Sequence, residues 1–547
     1  MSASRYNQTV LKLLRIFPII LLFSLWPWFC FAQSQGGAGQ TVLVVPFENQ
    51  SKAPGIEWIG DSFPELLQER LDSPTLYVVP REDRVRAYDR LGIPIHLRAS
   101  RATIYRIAEQ LDVDYVVLGQ YSFDGRIFTA DAQLLDMHHE RLLPRVIESG
   151  PLVQLIEIET SLAWDVMRGL RPDLTTSKQQ FIGQASPVRL DAFESYIRGG
   201  IAATASEQIR HFREAVRLNP AYSEAWLELG KACYRDRQYA ETIASLSHIE
   251  QNDPRNGEAN FYIGLAAYAQ GDFARAESAF NMVAAHLPLS EVYNNLGVVV
   301  DHRDPTAALE YLQKAVAADP NEADYRFNLA VALYQAGDGS GASRQLREDL
   351  SMRPNDGEAK TLLDELSSAP SVHGVRTPAA SVFKLPAERL RTNYEENRFR
   401  LLILKIDATA EQRMAKADPM THSRFHCDRG RQLLRQGFLS EAESEFREAV
   451  SLNSANADAH AGLASVLEAS NNPVAARSEA EEALRLRQFA EPLVVLARLD
   501  LRDNRTEAAA DEIDRALRLE PNDAGAQALK QTIASRLSDQ AAAPSKQ

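Results

Sequence analysis

Residues 221–254, AYSEAWLELGKACYRDRQYAETIASLSHIEQNDP, are followed by residues 255–288, RNGEANFYIGLAAYAQGDFARAESAFNMVAAHLP, in the same 34-residue pattern. Residues 289–320 and 321–354 continue it with lengths of 32 and 34. Each unit closes on a proline: Pro254, Pro288, Pro320 and Pro354. Leu229-Gly230, Ile263-Gly264, Leu296-Gly297 and Leu329-Ala330 then fall in register in the first half of each unit. In the second half Thr242, Ala276, Ala308 and Ala342 are followed four residues later by Leu246, Phe280, Leu312 and Leu346. A small residue lets two helices approach, a large apolar one fills the next gap, and proline ends the unit. Such units cannot bury their apolar faces alone, so they stack into a solenoid.

Period and residue type together resemble the tetratricopeptide repeat, which implies a right-handed superhelix of helix pairs. In that family the second, fifth, ninth and twelfth positions of each first helix line an inner groove that binds peptides. Carried onto this sequence, the groove residues are Leu227, Lys231 and Tyr234; Phe261, Leu265 and Tyr268; Asn294; and Phe327, Val331 and Tyr334. The second position is Glu224, Glu258, Glu291 and Asp324, an acidic rim. Relatives that grip a C-terminal carboxylate use Lys and Asn at early positions, so the acidic residues here do not suit that clamp. Aromatic anchors and fixed amides suit peptide recognition, because they bury large area at small entropy cost.

The repeats extend beyond these four. Residues 189–220 form an abbreviated first unit with Tyr196, Phe212, Ala215 and Pro220, and Gly357 to Leu366 forms a closing helix, so the first array spans 189–366. Residues 367–386, rich in Ser, Ala and Pro, are expected to be a linker. A helix from Glu388 to about Met414 is expected next, then repeats at 421–454, 455–487 and 488–521, a capping helix from Ala524 to Leu537 and a disordered tail at 538–547.

Residues 41–172 follow a different rhythm. Thr41 to Phe47 is an apolar strand, and a helix with Ile59, Phe63, Leu66, Leu67 and Leu71 on one face follows. Leu76 to Val79 is a short strand and Thr103 to Leu111 a helix. Two strands flank Asp124-Gly125, a dipeptide suited to a tight hairpin. A strand near 142–147 leads to a helix carrying Leu155, Ile158, Leu162, Val166 and Leu170, and Asp61 and Ser62 are expected to be helix caps. The order β-α-β-α-α-β-β-β-α describes a mixed sheet covered by helices. VLVVPFEN (42–49), IGDSFPELLQERL (59–71), LYVVPRED (76–83) and VDYVVLGQY (113–121) resemble the N-terminal domain of TolB and the related CsgG- and FlgO-type envelope proteins. That resemblance implies an envelope location and an assembly or docking role.

The first 32 residues carry Arg5, Lys12 and Arg15, an apolar run from Ile16 to Phe29, and then Cys30-Phe31-Ala32. This order reads as a signal peptide cleaved after Ala32, with an uncleaved membrane anchor at 16–32 as the alternative. The whole chain has a formal charge of -14, which argues against general nucleic-acid binding. After cleavage only Cys233 and Cys427 remain, read as unpaired thiols in helices rather than a disulfide framework.

No phosphate-binding loop, nucleophile elbow, paired CxxC or His-Glu-x-x-His motif occurs. His138-His139 reads as a solvated turn and Cys233 as a small buried hydrophobe. No catalytic residue, cofactor or metal is therefore expected. The expected function is a non-catalytic, exported scaffold that binds a protein or peptide in the cell envelope. The alternatives are an outer-membrane or secretion-complex assembly factor docking through the α/β domain, and a hydrolase with an unrecognised site in 41–180.

Overall fold

The computed structural model describes residues 39–542, apart from residues 95–98, 173–175, 185–186, 286, 369–370, 373–374, 377–387, 415 and 437–438. The expected signal segment at 1–32, most of the expected linker and residues 543–547 lie outside the described residues. Among those described, no helix is long and apolar enough to cross a membrane.

The N-terminal region is a mixed sheet between two helical layers. Strand β1 (Gln40–Val44) is followed by β2 (Glu48–Asn49), α1 (Ile59–Leu71), β3 (Leu76–Val78), α2 (Arg81–Arg90) and α3 (Arg101–Leu111). Then come β4 (Tyr115–Phe123), β5 (Phe128–Asp136), β6 (Arg141–Leu142), β7 (Val146–Gly150) and α4 (Leu155–Leu170). The sheet order is β3-β1-β4-β5-β6, with β2 on β4 and β7 on β5. Alternation along β1 sends Val42 and Val44 to one face, against Phe63 and Leu67 of α1 and Leu162 of α4. Leu43 and Val45 go to the other face, against Tyr88 of α2 and Ile107 of α3. At the β4–β5 hairpin Gly125 has φ of +94°, which a side chain would resist, and Asp124 Oδ1 accepts from the amides of Arg126 and Ile127 at 2.8 Å each.

Several local expectations change. The helix α2 was not assigned residues from sequence, and the last strand is two short pieces, because β5 pairs with β6 and β7 in turn. Asp61 and Ser62 are not caps: α1 begins at Ile59, two residues earlier, and Ser62 is fully buried against α4. There its hydroxyl contacts Ile59 O at 2.8 Å and the Glu159 carboxyl. The Ser62 hydroxyl donates to that carboxyl, which among the described residues has no charged partner beside it. Burial, opposed by the hydrogen bond that Ser62 donates, pushes Glu159 up to about 8.

The solenoid follows without a break in the core. Trp58 packs edge-on against Phe193 at 6.2 Å, and Phe193, Phe212 and Leu229 belong to the same apolar cluster as β1 and α1. Helix pairs run Leu190–Ile201 with Ala205–Leu218, Ser223–Arg235 with Tyr239–Leu246, and Asn256–Ala269 with Phe273–Ala284. Ser290–Asp301 with Pro305–Ala318 and Ala323–Gln335 with Gly339–Met352 follow, and Gly357–Ser368 closes the array. The repeat logic is visible at Gly264, where a Cβ would come within 2.7 Å of the Phe280 ring. Pairs Pro419–Gln436 with Leu439–Leu452, Ala457–Ala469 with Pro473–Leu486, and Ala490–Arg502 with Thr506–Leu519 form the second array. Its last helix, Ala524–Ala542, continues past Leu537 into what was expected to be a disordered tail. Between the arrays, the expected helix from Glu388 begins only at Glu396 and runs to Met414. Residues 388–395 are held instead by side chains of the first array.

Candidate functional site: the groove of the first array

Three asparagines at the centre of the inner groove, Asn294, Asn295 and Asn328, are completely buried. A buried carboxamide needs partners for both its oxygen and its amino group. Within the array these residues satisfy one another only in part: Asn328 Nδ2 donates to Asn294 Oδ1 at 2.8 Å, and Asn294 Nδ2 donates to Asn295 Oδ1 at 3.2 Å. The remaining capacity goes to the chain's own residues 389–391. Asn294 and Asn328 both donate to the carbonyl of Arg389 at 2.9 Å, and the Arg389 amide donates back to Asn328 Oδ1 at 3.2 Å. Asn295 repeats the arrangement at Arg391, accepting from its amide at 2.7 Å and donating to its carbonyl at 2.8 Å. Arg389 and Arg391 thus both turn their backbone N–H and C=O toward the asparagines, and each of Asn328 and Asn295 meets both groups, as the backbone of a neighbouring strand would. Farther along, the Glu395 amide donates to Glu291 Oε1 at 2.8 Å.

The side chains of this segment meet the acidic rim. The Arg389 guanidinium lies 3.5 Å above the Phe327 ring centre and makes a forked pair with Asp356 at 2.7 and 3.0 Å, with Glu358 at 2.8 Å. Arg391 pairs with Glu322 at 3.2 Å and lies 3.6 Å from Asp324. Tyr394 sits 5.2 Å from Phe261, over Gly257, where a Cβ would meet its hydroxyl at 2.7 Å. Near Arg389, burial, reinforced by the charge of Asp356, pushes Asp349 up to about 6. Carboxylates so crowded attract a guanidinium, and Arg suits them because its planar fork bonds bidentately and stacks. A cavity of about 190 Å³ opens beside Arg389, lined by Phe327, Val331, Tyr334 and Leu362.

The sequence-derived groove residues divide. Phe261, Asn294 and Phe327 touch the segment, and Val331 and Tyr334 line the adjoining cavity. Leu227 packs with Leu246 and Ile249 between helices, and Leu265 is buried in the core of the middle repeats. Tyr234 packs against Tyr239 and Tyr262, and the Tyr268 hydroxyl lies 3.1 Å from His302 Nε2. Lys231 joins the α/β region to the groove: its ammonium reaches Glu228 at 2.8 Å, Glu258 at 3.0 Å and Glu82 of α2 at 3.3 Å. Lys231 in turn holds Glu82 down at about 2. Asn295 and Asn328, one position beyond the fifth, were missed, and so was the occupant. Two successive repeats with Asn at that position were the available signal.

Elsewhere His138 and His139 lie in a turn, with side chains exposed, at 2.6 Å from Asp114 and 2.9 Å from Asp136. Cys233 and Cys427 are buried and unpaired, and burial pushes both thiols up to about 11, away from nucleophile character.

Tetratricopeptide-repeat family models match residues 209–254, 244–289, 300–366 and 427–491. The chain is 27% identical over 142 residues to the BBSome complex member BBS4 of Xenopus tropicalis, an alignment covering 25% of this chain and 27% of that protein. The chain thus spans about a quarter of that relative's length. Among solved structures, YrrB, a TPR protein with an unusual peptide-binding site, superposes with a TM-score of 0.29 at 15% identity, over 31% of this chain and 91% of its own. MamA from Desulfovibrio magneticus superposes with a TM-score of 0.30 at 18% identity, over 31% and 99%. Tetratricopeptide-repeat models thus match segments within both helical arrays, behind an N-terminal region that contains the sheet.

Proposed function

We propose that the protein is a non-catalytic, exported scaffold of the cell envelope whose first array binds an extended protein segment of the form Arg-x-Arg followed by an aromatic residue. The observation that carries this reading is the paired amide grip of Asn295 and Asn328 on the backbone of Arg391 and Arg389. Backbone bonds recognise extended chain in general, while the forked Arg389 pair and the Tyr394–Phe261 contact select its sequence. Residues 388–395 are then a resident ligand, which a partner must displace. The order of charges and apolar residues in 1–32 and the TolB-like strand pattern of 41–172 support the envelope location.

A labelled peptide of residues 386–396 tests the reading on the full chain. Arg389→Ala with Arg391→Ala weakens the resident segment, so this variant should bind the peptide at least about tenfold more tightly than wild type. Adding Asn294→Ala and Asn328→Ala should abolish that gain. Equal binding to all three proteins would show that the groove is only a packing surface for its own chain.

A further inference from the structure

Among the described residues outside the groove, one cluster has the geometry of a cation site. The helix Glu396–Met414 leaves the first array, places Leu401 and Leu404 against the sheet and pairs Arg400 with Asp72 at 2.6 Å. Its last turns reach the first helix of the second array, Pro419–Gln436. There His422 and His426, four residues apart, share one helix face and meet Glu411 from the other helix. The ring atoms His422 Nε2 and His426 Nε2 are 3.0 Å apart, and Glu411 Oε1 lies 3.4 and 3.2 Å from them.

We propose that Glu411, His422 and His426 bind a divalent transition-metal ion of the Zn²⁺ class. Bonds of about 2.0–2.1 Å place neighbouring donors of a tetrahedral ion roughly 3.3–3.4 Å apart, close to the three separations found. Two imidazoles and one carboxylate are a donor set for such ions and leave a fourth position for water. The surrounding shell fits as well. His426 Nδ1 is held by Glu445 Oε2 at 2.7 Å, which turns Nε2 toward the cluster, as a carboxylate does behind a metal-binding histidine. Arg429 lies 3.4 Å from the other oxygen, Glu411 Oε2, leaving Oε1 for the ion. His426 is buried, whereas His422 and Glu411 retain 13% and 15% of their side-chain exposure, enough for entry from one side. The ion would join the connecting helix to the second array, and so couple that array to the α/β region and the occupied groove. This site is independent of the peptide reading, and it departs from the expectation that no metal is needed.

The test uses the full chain, stripped with chelator and titrated with Zn²⁺ by calorimetry and with Co²⁺ by visible absorption. One ion per chain is expected, with the intense absorption bands of four-coordinate Co²⁺ and a rise in melting temperature. His422→Ala and Glu411→Gln alter partly exposed side chains and should keep the helical circular-dichroism signal while lowering affinity at least about tenfold. Because Cys427 and Cys233 also attract these ions, a Cys427→Ser, Cys233→Ser protein should bind as wild type does. No saturable binding by the wild type, or binding that survives both His422→Ala and Glu411→Gln, overturns the site.

Discussion

Asn328 and Arg389, sixty-one positions apart, exchange two hydrogen bonds as neighbouring strands do: the Asn328 amide donates to the Arg389 carbonyl at 2.9 Å and accepts from the Arg389 amide at 3.2 Å. A side chain thereby does the work of a strand edge inside an all-helical array. The repeat surface holds its own residues 389–391 by their backbone groups.

Loss of that grip should release the segment without unfolding the solenoid. Asn294→Ala with Asn328→Ala leaves the Arg389 carbonyl without its donors, at a cost of about 1–3 kcal/mol for each buried group left unpaired. The expected outcome is faster hydrogen exchange at the amides of Arg389 and Arg391, with an unchanged helical circular-dichroism signal. Exchange as slow as in the wild type would mean that other contacts hold the segment.

Arg389→Lys separates charge from shape. Lysine keeps the positive charge beside Asp356 but loses the forked bond and the stacking over Phe327. Protection of the segment should fall most of the way toward that of Arg389→Ala. A lysine variant indistinguishable from wild type would show that charge alone is recognised.

Ala276 is fully buried opposite the close approach of Gly264 and Phe280. Ala276→Leu should overpack that helix pair and cost on the order of 1–3 kcal/mol, read as a lower melting temperature. The outward-facing change Ser278→Leu, at an exposed position of the same helix, serves as control.

Glu159 makes stability depend on pH in a defined direction. Burial raises its carboxyl to about 8, so between the ordinary carboxyl value and about 8 the folded protein holds a proton that the unfolded chain has released. Stability from this group therefore falls as pH rises through that window. Glu159→Gln is neutral throughout and its side-chain oxygen can still accept from Ser62. Its unfolding free energy from urea titration, relative to wild type, should rise between pH 5 and pH 8, by an amount on the order of a few kcal/mol. A constant difference would place an ionised carboxylate in the core.

Export is tested at the N-terminus. Three basic residues, an apolar run and Cys30-Phe31-Ala32 lead to the expectation that the mature chain begins at Gln33. Sequencing of protein taken from its own cells should find that end. An intact chain released only by detergent would favour the anchor.

The solenoid could be read from the sequence because repeat architecture is local. Each helix pair is specified by its own small and large residues, such as Gly264, Ala276 and Phe280, and each packs mainly on its neighbours. The hairpin at Gly125 was legible for the same reason, since its backbone requirement falls on one dipeptide. Phe261, Asn294 and Phe327 were indicated by the tetratricopeptide resemblance, carried onto the repeat register.

What occupies the groove was decided only by tertiary structure. Residues 388–395 carry Leu and Tyr among charged residues, a composition that suits a helix well enough, and nothing local forbids one. They are not helical because Asn295 and Asn328, which are buried and need partners, offer their backbone a better set of hydrogen bonds than another turn of helix would. The meeting of Glu411 with His422 and His426 is likewise set by how two helices cross. Periodicity reveals which side chains face inward, but the partner an inward side chain finds from a distant segment depends on where that segment lies in space.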